Sequence, residues 1–111
     1  MALVDRKCIK ISSGTPPLAD DQKEQLTAEI PEWTVQEESI YREWQFKDFL
    51  QAMYFVNKIA ELAEQENHHP DIYISYNKVK IELSTHKIDG LSINDFILAA
   101  KINKIPDSSV F

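Results

Sequence analysis

Cysteine is almost absent from this chain: Cys8 is the only one in 111 residues, so no disulfide can form within it. That suits a reducing compartment. There are two glycines, too few for a Gly-rich phosphate loop, and no Gly-x-Ser-x-Gly elbow. No apolar run approaches the roughly 20 residues that span a bilayer, so no membrane segment is expected. Positive charge is also scarce, with 12 Lys and Arg against 18 Asp and Glu and a net charge of −6. Without a basic cluster, such a chain is a poor partner for a phosphate backbone, and no direct nucleic-acid binding is expected. The first residues carry Asp5, Arg6 and Lys7 where a secretory signal needs an apolar core, so the expected location is cytoplasmic.

A chain of this length fits one domain and can bury roughly 60–70% of its unfolded surface. Residues 1–19 contain Ser12-Ser13-Gly14-Thr15-Pro16-Pro17 and read as an extended or mobile N-terminal arm. Residues 20–111 read as the single domain. A short helix is expected over 20–29, ended by Pro31, then a strand pair within 33–45 that turns at Glu37-Glu38-Ser39. Over 47–67 the period becomes helical, with Phe49, Ala52, Met53, Val56, Ile59, Ala60 and Ala63 on one stripe. Strands over 71–76 and 78–85 follow, joined at Asn77, which tolerates a left-handed backbone. Val79, Ile81, Leu83 and Thr85 share one face. Ser92 and Asp95 have the spacing of a capping box at the start of a last helix that runs to about Lys104. The order predicts an α+β fold, a four-stranded antiparallel sheet with three helices packed on one face.

All three histidines lie between positions 68 and 86. His68-His69-Pro70 joins the long helix to a strand, and His86 ends the next strand. Antiparallel pairing can bring these points together. Imidazole gives and takes protons near neutral pH, as a dehydration requires. On residue chemistry alone, a polar loop and a solvated strand end explain the same residues equally well. Zinc is a third reading, although adjacent His68 and His69 seldom converge on one ion and no His-x3-His spacing is present. Neither His68 nor His86 is expected to be buried. Glu64 could orient a histidine, but a solvated helix end explains Glu64 and Glu66 as well. Trp33 is either a stacking platform for a flat heterocycle or a core residue. Asp95 either serves the pocket or caps its helix. Cys8, in the arm, reads as an incidental thiol.

The run Glu64-Gln65-Glu66-Asn67-His68-His69-Pro70, followed by Tyr76, His86 and Asp95 at matching gaps, resembles the signature of the pterin-4a-carbinolamine dehydratases. Phe46-Lys47-Asp48-Phe49, Tyr76-Asn77-Lys78-Val79, Leu83-Ser84-Thr85-His86 and Gly90-Leu91-Ser92 also match, and Trp33 stands at the family's usual tryptophan. The resemblance covers residues 20 to about 104. It implies dehydration of a 4a-hydroxytetrahydropterin to the quinonoid dihydropterin, which recycles the pterin used by aromatic amino acid hydroxylases. It implies no metal and no organic cofactor, and an assembly of two or four copies. His68, His69 and His86 fall on the family's catalytic histidines, the first and last as acid–base groups and His69 as the pterin holder. Pro70, Thr85 and Lys87 fall where the family contacts its substrate. The alternative is a non-catalytic scaffold: some animal members also serve as dimerisation cofactors of a homeodomain transcription factor, and other relatives assist assembly of the carbon-fixing enzyme. The chain departs from some members at Asn67, where they have an aspartate, and at Asn94 and Lys80, where some have a basic residue and a histidine.

Overall fold

A computed structural model of the chain describes residues 1–106, so the last five residues of the expected domain lie outside the described residues. The elements are helix α1 (Asp20–Thr27), strands β1 (Thr34–Val35) and β2 (Ile40–Gln45), helix α2 (Phe49–Glu66), strands β3 (Asp71–Ser75) and β4 (Lys78–Leu83), and helix α3 (Ile93–Ile102). Short 3₁₀ turns occupy Leu3–Asp5 and His86–Ile88. The four strands form one antiparallel sheet in the order β1-β2-β4-β3. The expected α+β architecture is the one observed.

The period-2 pattern of the strands decides which face is dry. Ile40, Trp44, Val79, Ile81 and Leu83 are buried on the inner face, with Trp44 paired to Val79 and Ile40 to Leu83 in the register. Tyr41, Lys80 and Tyr73 share the outer face, where the Lys80 ammonium lies 4.8 Å from one ring and 5.6 Å from the other. α2 covers the inner face against β4 and packs on α3. It begins at Asp48, whose carboxylate accepts the Gln51 N–H at 2.9 Å and so satisfies a free amide of the first turn.

The buried stripe of α2 is Ala52, Phe55, Val56, Ile59 and Ala63. Phe49 and Ala60, expected inside, are exposed. Phe49 belongs to the same stripe but lies in the first turn, before the buried part begins. Phe55, missing from the expected stripe, is the aromatic centre of the core, 4.8 Å from the Trp44 ring and 5.1 Å from that of Phe46. The β3–β4 turn also differs from expectation. Tyr76, not Asn77, takes the left-handed backbone at φ 52°. Asn77 instead donates its side-chain amide to the Phe46 carbonyl at 2.9 Å and ties the turn to β2.

The N-terminal segment is docked rather than loose. Leu3 is buried in the core, its N–H donates to Glu29, and Lys101 Nζ donates to the Val4 carbonyl at 3.0 Å. Downstream, the Leu18 N–H donates to the Leu91 carbonyl at 2.9 Å. A glycine is needed at position 90 by this close approach, since a Cβ there would lie 2.8 Å from the Pro17 Cβ. Apolar positions and hydrogen-bond anchors in residues 1–19, not Gly or Pro content, decide how this segment behaves.

Because Phe55 is 1% exposed and touches two aromatic rings, Phe55→Ala should destabilise the fold by about 3–5 kcal/mol. Urea unfolding followed by far-UV circular dichroism would read this as a lower midpoint at unchanged slope.

Candidate active site

The geometry of the histidines begins with the end of α2. Asn67 takes the left-handed conformation at φ 52°, a cap that asparagine tolerates better than most residues. The Asn67 and His68 N–H groups both donate to the Ala63 carbonyl. The chain thus leaves the helix sharply, and the two histidines part. His68 Nε2 lies 2.6 Å from Asp95 Oδ1, whereas His69 Nε2 lies 2.6 Å from Glu64 Oε2.

Asp95 is fully buried, so every lone pair facing the interior needs a donor. Its Oδ2 accepts the Thr85 hydroxyl at 2.8 Å and the Ser92 N–H at 3.0 Å. Oδ1 remains for His68. A carboxylate in this position can only accept, which assigns the proton to His68 Nε2 and leaves the Nδ1 lone pair of the neutral ring open. Asp95 therefore does both things that its spacing allowed: it closes the capping box of α3 and it holds a histidine. His68 itself is only 12% exposed, contrary to expectation, because the Asp95 bond draws it inward.

The Glu64–His69 pair is much wetter, with side-chain exposures of 78% and 55%. Water screens such a pair, so it orients the ring without adding much stability. His86 is exposed and opens the 3₁₀ turn rather than ending β4, which stops at Leu83. The Thr85 N–H donates to the Gly90 carbonyl at 2.9 Å, closing that loop. Among the described residues, His86 has no side-chain hydrogen bond.

The three histidines line one cleft of about 650 Å3, together with Thr85 and Lys87. That volume suits a small heterocycle. Pro70 is not on its wall; it follows the histidine pair and leads into β3. Trp33 is not there either. It is buried, its ring meets Trp44 edge-on at 5.8 Å, and its indole N–H donates to Asn103 Oδ1 at 2.8 Å. Of the two readings open for Trp33, the core role is the one observed, and its place among the substrate contacts is corrected accordingly. Among the described residues, no group of three His, Cys, Asp or Glu side chains is arranged to hold a metal ion.

Residues not assigned to the site from the sequence complete the cleft. Cys8, Ile9, Lys10 and Ile11 form part of its lining, as do Glu66 and Asn94. Glu66 is not a solvated helix end: its side chain is 5% exposed and accepts the Cys8 N–H at 2.9 Å. Burial, and then the Glu66 carboxylate, push the Cys8 thiol up to about 12, so it stays protonated at cellular pH. Nothing in the spacing of residues 1–19 marks these positions, because they are placed by contacts with residues 58 to 86 positions away.

Comparison with known proteins is consistent with this geometry. A family model described as Pterin 4 alpha carbinolamine dehydratase matches residues 16–105. A Halorhodospira halophila protein whose name carries pterin-4-alpha-carbinolamine dehydratase is 42% identical over 95% of this chain and 98% of its own. A Rickettsia bellii protein with the same words in its name is 50% identical over 92% of each chain. The crystal structure of a transcriptional coactivator/pterin dehydratase from Brucella melitensis superposes with a TM-score of 0.74 at 31% identity, covering 78% of this chain and 95% of that one. A pterin dehydratase-like protein described as a RuBisCO assembly factor in the alpha-carboxysome shares the fold, with a TM-score of 0.56 at 22% identity over 69% of this chain and 89% of that one. By its sequence match and its fold, this chain belongs to the pterin-4a-carbinolamine dehydratases, a family of hydro-lyases.

Proposed function

We propose that this protein removes water from a 4a-hydroxytetrahydropterin by histidine acid–base catalysis and so returns the pterin to aromatic amino acid hydroxylases. The observation that carries this reading is the meeting of His68, His69 and His86 in one cleft, with a buried carboxylate behind His68. In the reaction, one imidazole protonates the hydroxyl on C4a and the C–O bond breaks. The second imidazole takes the proton from N5, and the freed electron pair forms the C4a=N5 double bond. Water and the quinonoid dihydropterin leave, and the enzyme's protons balance once one ring has passed its proton back through solvent. His68 and His86 take the two proton-transfer roles. His69, turned to Glu64, holds the ring, with Thr85 and Lys87 as further contacts. No step calls on a metal or an organic cofactor. A scaffold role alone would leave this gathering of imidazoles without a purpose.

The protein is assayed on freshly generated 4a-carbinolamine, and a rate no faster than buffer would sink the reading. His86→Ala should lower kcat/KM by about 10²–10⁴ with little change in melting temperature, because that ring is exposed and has no side-chain hydrogen bond among the described residues. His68→Ala should lose activity on the same scale and also about 1–3 kcal/mol of stability, since Asp95 Oδ1 would be left buried without a donor. Asp95→Asn should cost about 10–100-fold in kcat and lower the melting temperature together, because the amide must present a donor to groups that themselves donate.

The open edge of β3 supports assembly into homo-oligomers. Tyr73, Ile74 and Tyr76 are exposed there, and among the described residues the strand pairs only with β4. Ile74→Lys should shift the mass measured by light scattering towards the single chain. An unchanged mass would remove β3 as the contact.

A further inference from the structure

Residues 8–11 of the N-terminal segment reach the cleft without forming a helix or strand of their own. Side chains from α2 and α3 hold its backbone instead. Asn94 donates from Nδ2 to the Ile9 carbonyl at 2.6 Å and accepts the Ile9 N–H on Oδ1 at 2.8 Å, the pairing that a neighbouring strand would make. Asn94 is 4% exposed, so with the segment in place its amide has Ile9 rather than water as its partner. Glu66 accepts the Cys8 N–H, Lys101 holds the Val4 carbonyl, and the Cys8 thiol donates to the Asn94 carbonyl at 3.7 Å. These anchors adjoin the His68–Asp95 pair: Glu66 precedes His68 by two residues, and Asn94 precedes Asp95.

The wall so formed, Cys8 to Ile11, offers two aliphatic side chains, a thiol and the Lys10 ammonium. With its proton retained, the thiol is a small apolar group rather than a nucleophile. None of these groups is suited to moving protons in the dehydration. All can touch a flat ring or its substituent. The family model spans residues 16–105 and so does not include this wall, although the Halorhodospira halophila relative is similar over 95% of this chain.

We propose that residues 8–11 are a substrate-holding wall of the cleft and that Asn94 is the residue that positions it, so that the wall governs pterin affinity while the histidines govern turnover. This rests on the dehydratase reading above. Asn94→Ala should raise KM about tenfold and leave kcat within about twofold, the pattern of lost uniform binding. Ile9→Pro removes the N–H that Asn94 accepts, at an exposed position, and should do the same if Asn94→Ala does not fold. Cys8 supplies a readout independent of turnover. In the parent protein, alkylation by iodoacetamide should still be accelerating as pH passes 9, and saturating 7,8-dihydrobiopterin should slow it. In the variants the reaction should be faster, level off near pH 9, and lose most of its protection by the pterin. An active parent protein whose Cys8 gains no protection from the pterin would overturn the proposal, as would an unmoved KM in whichever of the two variants folds. A parent protein without turnover would instead bring down the dehydratase reading, and this inference with it.

Discussion

Burying the Asp95 carboxylate would be prohibitive unless its oxygens were fully engaged, and that constraint organises the molecule around it. Oδ2 takes the Ser92 N–H that starts α3 and the Thr85 hydroxyl that follows β4. Oδ1 takes His68, from the junction of α2 and β3. The junction of α2 and β3, the residue Thr85 beyond β4 and the start of α3 are therefore held at one point. The Thr85 and Ser92 hydroxyls also bond each other at 2.7 Å, which closes the network. A half-satisfied network of this kind would be worse than an apolar one, so its parts stand or fall together.

The same network divides the imidazoles by environment. His68 is nearly dry and its orientation is set before any substrate arrives, so it need not reorganise during proton transfer. His86 sits in water at the start of a 3₁₀ turn with no partner among the described residues. His69 lies between these extremes, oriented by Glu64 but exposed. A proton that moves between a fixed site and a solvated one can be replaced from bulk water at the second, which suits a reaction that needs both a donor and an acceptor in each cycle.

Much of this was readable from the residues alone, and the exceptions have physical causes. Alternation in 78–83 and the Ser92–Asp95 spacing located β4 and the start of α3 because those signals are local. The choice of Phe55 over Phe49 as the core aromatic was not local; it depends on where α2 lies over the sheet. Asp95 seemed to force a choice between capping and serving the pocket because one-dimensional spacing does not show that a carboxylate has two oxygens free to face different ways. Trp33 was ambiguous for a related reason: a tryptophan suits a core and a stacking site equally, and only the Asn103 bond and the Trp44 contact decide between them. The arm was the least legible. Its composition signals irregular backbone, which is correct, but irregular backbone is mobile only when nothing receives its N–H and C=O groups. Here Glu29, Glu66, Asn94 and Lys101 receive four of its residues.

Fold and chemistry are consequently not separable at every site residue. A change at Asp95, Thr85 or His68 strikes the start of α3 and the cleft at once, so lost activity there mixes two causes. His86 is free of that mixture, because among the described residues no hydrogen bond depends on its ring. The solvated histidine is thus the cleaner probe of acid–base chemistry, and the buried one, although better positioned, is the poorer probe. The arm presents the converse case. It contributes cleft surface yet is fastened by hydrogen bonds in which no imidazole takes part, so binding can be altered there while the proton-transfer groups keep their own partners.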